Sequence, residues 1–338
     1  MTLLELDDPS WSEFVASDPK ATLFHHPAWA GMLAECYGFR ALAVTIPDRG
    51  APVAAGMPVI EVTSPLGRRR WVSLPFTDHC SPLGGEPSGD LVHALADIGR
   101  SRSLAGIEVR APLPPSDAVQ RAGAHVRHEL DLTAGADRVW AGFNKNHRRN
   151  ARIAERAGVR IVRGSGAGDL EGFYRLHLRT RRRLGVPIQP RRFFRLLRER
   201  ILGPGLGFVL TAYTGDVPIA SAVFGSHNGA LVYKYSARDE RYAKLDANYL
   251  LLWSAIRWGC ESGHRVFDLG RSDLDQPLLR SFKDGWGARE EPLSYAWIAR
   301  APMKTRARRL DGALGVVIRN SSPFLCRAVG ELFYKYAG

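Results

Sequence analysis

The chain has 338 residues, 45% hydrophobic and 24% charged, proportions that exclude wholesale disorder, collagen-like repeats and a disulfide scaffold. Its four cysteines (Cys36, Cys80, Cys260 and Cys326) lie too far apart for a CxxC metal or redox signature. Acids near the start (Glu5, Asp7, Asp8) and the lack of an uncharged apolar run of about 18 residues predict a cytoplasmic protein with reduced thiols, no signal peptide and no membrane span.

In chain order, strands are predicted over residues 42–46, 53–62 and 71–75, a helix over 90–101 and a strand over 107–109. The chain re-enters a sheet near 129–133. A long basic helix is predicted over 136–157, stopped by Gly158, with a strand over 159–162 behind it. Helices over 169–184 and 191–201 are separated by Gly185, Pro187 and Pro190. A meander over 207–213, 219–226 and 230–236 follows. A helix over 248–261, capped by Asp246 or Ala247, then leads to strands over 266–269 and 293–298.

This order resembles the layout of GNAT-class acyltransferases, and the first half repeats it more weakly. The expected fold is α/β (α+β): two tandem GNAT-like domains, 1–135 and 136–300, with mixed, largely antiparallel sheets flanked by helices. A basic amphipathic helical tail, 301–338, follows.

The charge is unevenly spread. Net charge is +13, and residues 137–210 alone hold 18 basic and 5 acidic side chains, a surplus as large as that of the whole chain. Such a concentration fits a polyanionic partner, because each phosphate it neutralises releases condensed counterions. Lys145, Arg148, Arg149 and Arg152 recur at three- and four-residue intervals, which places them along one helix side as phosphate contacts. Arg181, Arg182 and Arg183 either extend that patch or complement the carboxyl end of their own helix.

The run Trp140-Ala-Gly-Phe-Asn-Lys-Asn-His-Arg-Arg-Asn150 is similar to the FemABX family of FemAB-like acyltransferases. So are Phe24–Trp29, Tyr233-Lys-Tyr-Ser236 with 248–253, and Phe267-Asp-Leu-Gly-Arg-Ser272 followed by Phe282-Lys283 and Trp286-Gly287. The resemblance implies transfer of an aminoacyl group from aminoacyl-tRNA to an amine acceptor, in natural-product or cell-wall precursor biosynthesis, with no cofactor. Peptidoglycan-directed relatives carry a lysine four residues after the early tryptophan. Here that position is Leu33, so a small metabolite or peptide amine is also expected as acceptor.

Acyl-CoA enzymes of this fold seat a pyrophosphate on a glycine-containing loop at a helix start. The corresponding stretch, Arg241-Tyr-Ala-Lys-Leu-Asp-Ala247, fills both glycine positions with Lys244 and Asp246, and an aspartate there repels a pyrophosphate. An acyl-CoA-dependent N-acyltransferase in polysaccharide or envelope assembly is the alternative. A third reading is a non-catalytic RNA or anionic-membrane binder that uses the basic face and the tail.

An aminoacyl ester is already activated, so the enzyme has mainly to position the amine and stabilise the oxyanion. The resemblance places Phe282 and Lys283 in the catalytic channel, Lys283 contacting the oxyanion or the terminal-adenosine phosphate. Asp268, Arg271 and Ser272 sit at a strand's carboxyl end, where sites gather. Asp268 either orients or deprotonates the amine, or forms a structural ion pair with Arg271. Tyr233 and Tyr235 alternate with Lys234 and are expected on one face, as core or as substrate contacts. Asn248 reads as a cap or a substrate contact. Asp78 and His79 interrupt an apolar strand, where either fits a general base and a hydrogen-bonded turn is the alternative. The histidines do not cluster, and no HExxH or EF-hand spacing is present, so no catalytic metal is expected.

Overall fold

A computed structural model describes residues 1–48, 50–64, 66–299, 315–316, 318–319 and 322–334. The amino-terminal half runs β1 (Thr2–Glu5), α1 (Pro9–Ser17), α2 (Pro27–Tyr37), β2 (Arg40–Asp48), β3 (Ala51–Thr63), β4 (Arg69–Val72), α3 (Gly89–Ser101), β5 (Ile107–Val109) and β6 (Val119–Asp131). The carboxyl half runs α4 (Ala136–Gly142), α5 (Lys145–Arg156), β7 (Arg160–Gly164), α6 (Ala167–Leu184), α7 (Arg191–Leu197), β8 (Gly207–Thr214), β9 (Val217–His227), β10 (Ala230–Arg238), α8 (Ala247–Glu261), β11 (Val266–Asp273), α9 (Pro277–Asp284) and β12 (Arg289–Ile298). A last helix, α10 (Pro323–Phe333), packs on α6.

The strands form one twelve-stranded sheet in the order β1-β2-β3-β4-β5-β12-β6-β11-β10-β9-β8-β7. Only the pairs β4/β5 and β10/β11 are parallel. Each half thus carries one parallel pair within antiparallel strands, which is the tandem GNAT-like arrangement the element order predicted. β6 and β12 are exchanged across the middle: β12, the last strand, lies between β5 and β6, while β6 pairs with β11.

Two apolar cores lie on opposite faces of the carboxyl half. One joins α6 and α7 to α2 and the 72–80 segment of the first half through Phe24, Trp29, Leu74, Phe173 and Phe193. The other holds α4, α5 and α8 against the sheet through Phe143, Leu251, Phe267 and Trp286. β9 and β10 are joined by a two-residue Asn228-Gly229 turn with both φ angles positive (48° and 73°), the conformation that matches hairpin twist.

Several boundaries differ from expectation for local reasons. The long basic helix is two helices. Phe143 is extended, and Asn144 restarts the helix by accepting the His147 backbone N–H at 2.7 Å. Tyr233 and Tyr235 do not share a face. A β-bulge between them breaks the two-residue alternation, so Tyr233 packs in the α8 core and Tyr235 in the α6 core. Asn248 is the second residue of α8 and not its cap, since the helix begins at Ala247. Asp246, at the cap position, is left-handed (φ 52°) and makes no capping bond.

Of the tail, Arg306, Arg308, Arg309, Leu310 and Val317 lie outside the described residues. Ile318 and Cys326 are fully buried in the α6 core, and the Tyr334 ring lies 5.2 Å from Phe76. No helix among the described residues is long and apolar enough to cross a membrane.

Candidate active site

The parallel strands β10 and β11 pair only over Ala230–Val232 and Val266–Asp268. Beyond that point β10 bulges at Lys234 and β11 at Leu269–Gly270, which leaves a gap between the two strands. The Asp78 carboxylate enters this gap. A Cβ on Gly270 (φ 74°) would stand 2.8 Å from Asp78 Oδ2, so glycine is required both by the left-handed backbone of the bulge and by the carboxylate beside it.

Asp78 is held by an unusually well-anchored loop. Leu74 and Phe76 are left-handed (φ 66° and 60°), conformations that cost side-chain-bearing residues free energy and persist only where the surroundings impose them. Phe76 O accepts from Lys234 Nζ (3.0 Å), Thr77 O from Arg110 Nη1 (2.7 Å) and Asp78 O from Tyr295 OH (2.5 Å). Trp29 Nε1 donates to Thr77 Oγ1 at 3.0 Å. Three successive carbonyls are therefore fixed by side chains from three separate segments of the chain. This leaves the Asp78 carboxylate facing Lys234 Nζ at 3.8 Å.

Lys283, on α9, is 4% exposed and donates to Gly270 O (2.9 Å) and Arg271 O (2.8 Å). Burial pushes its ammonium pKa down to about 8, against the pull of Asp78 and Asp268. Lys234 is shifted in the same direction by burial, and its Nζ lies 5.2 Å from the Phe24 ring centre and 5.8 Å from that of Trp29. Residue spacing does not mark Lys234 as a site residue. The available signal is a charged residue within the apolar run Leu231-Val-Tyr-Lys-Tyr235.

Asp268 does not pair with Arg271. Its Oδ2 accepts from His79 Nε2 at 2.7 Å and its Oδ1 from the Gly270 N–H at 2.6 Å, and both side chains are buried. Burial opposes charge on both groups, but their mutual attraction outweighs it, holding the Asp268 pKa below and the His79 pKa above their ordinary values. Arg271 instead donates to Tyr295 OH at 2.9 Å and stands 3.7 Å from Asp273. Ser272 is buried, and its Oγ has no hydrogen-bond partner among the described residues.

Phe282 is half-buried against His147, Tyr249 and Trp286, and its carbonyl accepts from His147 Nε2 at 2.8 Å. The basic helix α5 is thus bonded to the residue preceding Lys283. On α5, Lys145 and Arg149 are exposed and make no ion pair or hydrogen bond among the described residues. Arg152 lies over the Trp140 ring, and half-buried Arg148 donates to Ala141 O. Asn144, Arg149, Tyr249 and Phe282 border an open cavity of about 430 Å³.

Arg181, Arg182 and Arg183 end α6, on the other face of the sheet. Arg181 donates to Pro187 O, Arg182 is half-buried and Arg183 pairs with Glu240. They do not continue the α5 row across one face. Tyr233 and Tyr235 are half-buried, and Asn248 borders a small cleft with Tyr242 and Asp246. Among the described residues no group of three or more His, Cys, Asp or Glu is placed to hold a metal ion.

Residues 141–284 match the family model described as acetyltransferase (GNAT) domain. Among solved structures, a crystal structure of FemX is similar with a TM-score of 0.70 at 13% identity, over 93% of this chain and 100% of that one. The structure of L-PGS from Bacillus licheniformis gives 0.55 at 13% identity, over 94% and 97%. A tandem GNAT protein from the clavulanic acid biosynthesis pathway gives 0.53 at 13% identity, over 90% and 99%. These likenesses describe the fold. No curated protein sequence matches the chain.

Proposed function

We propose that the protein is an aminoacyltransferase that moves an aminoacyl group from aminoacyl-tRNA to an amine, forming an amide in natural-product or cell-wall precursor biosynthesis. The observation that carries the reading is the position of the exposed basic row of α5. Its Arg149 lines an open cavity together with Phe282, one residue before Lys283. A tRNA end gripped along α5 would deliver its ester towards the β10/β11 gap, where Lys283 supplies a hydrogen-bond donor to the oxyanion. The short 3₁₀ turn Glu240–Leu245, with Asp246 at the following helix start, offers no glycine cradle for a pyrophosphate, which favours this donor over coenzyme A.

The deciding experiment offers the enzyme a mixture of labelled aminoacyl-tRNAs or acyl-CoA thioesters with a panel of amines. The expected result is amide formation from charged tRNA that RNase abolishes. Transfer from acyl-CoA that is indifferent to RNase would instead establish the N-acyltransferase alternative, and RNA binding without turnover would establish a binding protein. Replacing Lys145 and Arg149 together by alanine is expected to weaken tRNA binding. It should also lower the slope of log affinity against log salt by about 1 for each phosphate that is no longer neutralised, as read by fluorescence anisotropy between low and physiological salt.

A further inference from the structure

On the α6 side of the sheet, loops 19–25 and 81–87 roof a cavity of about 540 Å³ between the two halves. His25, His79, Arg127, Glu129, Arg265 and Glu291 are among its lining residues. His79 lines it, and Asp268 Oδ2 accepts the Nε2–H, so in the neutral imidazole the basic lone pair is on Nδ1. A base oriented by a buried carboxylate at the wall of a cavity is the arrangement of general-base catalysis.

The dyad is also continuous with the reacting end of the gap. Asp268 Oδ1 accepts from the Gly270 N–H, and Gly270 O accepts from Lys283 Nζ. One carboxylate and one glycine residue therefore separate the imidazole from the lysine. Basic and acidic side chains share the cavity wall. Arg127 bonds Glu291 and pairs with Glu129, and the Arg265 guanidinium bonds main-chain carbonyls, Pro19 O and Asn228 O.

We propose that this cavity admits a small primary amine as acceptor and that His79, oriented by Asp268, is the general base that deprotonates it. The inference rests on the transferase reading and assigns the acceptor side of the same site. The acceptor ammonium gives one proton to His79 Nδ1. Its nitrogen then attacks the ester carbonyl, the C–N bond forms and the C–O bond breaks. A second proton passes from that nitrogen to the departing ribose oxygen. The products are an amide, a free hydroxyl and one proton on His79, which leaves to water in the cavity. Asp268 is a positioning residue in this scheme.

The groups facing His79 are Asp268 from β11, Arg127 from β6, Asp78 from its own loop and His25 from the segment before α2, with the Phe24 ring edge-on at 5.9 Å. Asp268 dominates and raises the imidazole above its ordinary 6.5. Because the neutral form is the base, turnover of a basic amine is expected to fall as pH drops through that raised value.

The test compares ethylamine, which is protonated at neutral pH, with hydroxylamine, which is largely unprotonated and needs no base. Both are small enough for the cavity. Rates above the uncatalysed background are measured with labelled aminoacyl-tRNA and, in parallel, acetyl-CoA as donors. His79→Gln retains a donor for Asp268 and is expected to lose about 100-fold or more on ethylamine, lose the acid limb of its pH profile, and stay within a few-fold on hydroxylamine. His79→Gly should regain ethylamine turnover with added imidazole. Equal loss on both amines without imidazole rescue, or no loss on either, overturns the assignment of His79 while leaving the donor reading intact. If the wild-type protein moves no acyl group from either donor to either amine, the transferase reading fails and this inference falls with it.

Discussion

Lys283→Ala is expected to lower turnover about 100-fold, the typical effect of removing one oxyanion donor, with donor affinity changed far less. Lys283 is buried and already fixed by the carbonyls of Gly270 and Arg271, so its remaining N–H is oriented without further ordering cost. Its pKa of about 8 adds a signature. The ammonium is the hydrogen-bonding form, so wild-type turnover should fall as pH rises through about 8, and the residual activity of the variant should lack that alkaline limb. Alanine also removes the lysine donor from the Gly270 and Arg271 carbonyls, at about 1–3 kcal/mol for a buried carbonyl left unsatisfied, so the assay belongs below the variant's melting temperature. A folded variant within about twofold of wild type would remove Lys283 from the chemistry.

Asp268→Ala is expected to destabilise the protein by about 3–5 kcal/mol, the usual cost of removing one partner from a buried ion pair. It strands His79 and the Gly270 N–H between the two halves. The pH dependence follows from the two shifts. The Asp268 carboxyl is depressed below its ordinary 3.8, so its contribution is complete above that value and disappears as pH falls through the folded-state pKa. The His79 imidazole is raised above 6.5, so its contribution is complete below 6.5 and disappears as pH rises through the raised value. The melting-temperature difference between the wild type and an Asp268→Asn, His79→Gln double variant should therefore be greatest between 3.8 and 6.5 and shrink on either side. A difference that does not vary with pH would mean that the pair carries no net charge stabilisation.

Local signals make much of the architecture legible. The strand Ile107–Val109 is predicted residue for residue, and the meander, α6 and α8 within a few residues, because apolar periodicity and glycine or asparagine turns act over short distances. The same logic fails wherever one residue alters the period. Asn144 interrupts an apparently continuous helix, and the bulge at Lys234 sends Tyr233 and Tyr235 to opposite cores. Helix α2 escapes the pattern although Pro27 at its first turn and left-handed Gly38 at its end mark both termini.

The site is partly legible. Asp78 and His79 stand out as polar residues beside an apolar run, although they lie in the loop after β4. Asp268 is expected at a strand's carboxyl end, but β11 continues to Asp273 and holds Asp268, Arg271 and Ser272 within it, and nothing in the sequence links residues 189 positions apart. Lys234, Arg110 and Tyr295 hold the Asp78 loop through main-chain carbonyls, and carbonyl acceptors leave no trace in residue identity.

The exchanged central strands bear on what the protein can do mechanically. A chain cut after residue 135 would leave one fragment still carrying β6 and the other β12, each separated from strands it needs, so neither piece has a complete sheet to fold around. Supplied together, the pieces would be expected to reassociate by mutual strand donation. In the intact protein the same interlock resists any rocking of one lobe on the other. A hinge between the halves would have to break the pairing of β5/β12, β12/β6 or β6/β11, so access for bulky reactants is expected to come from surface loops and side chains.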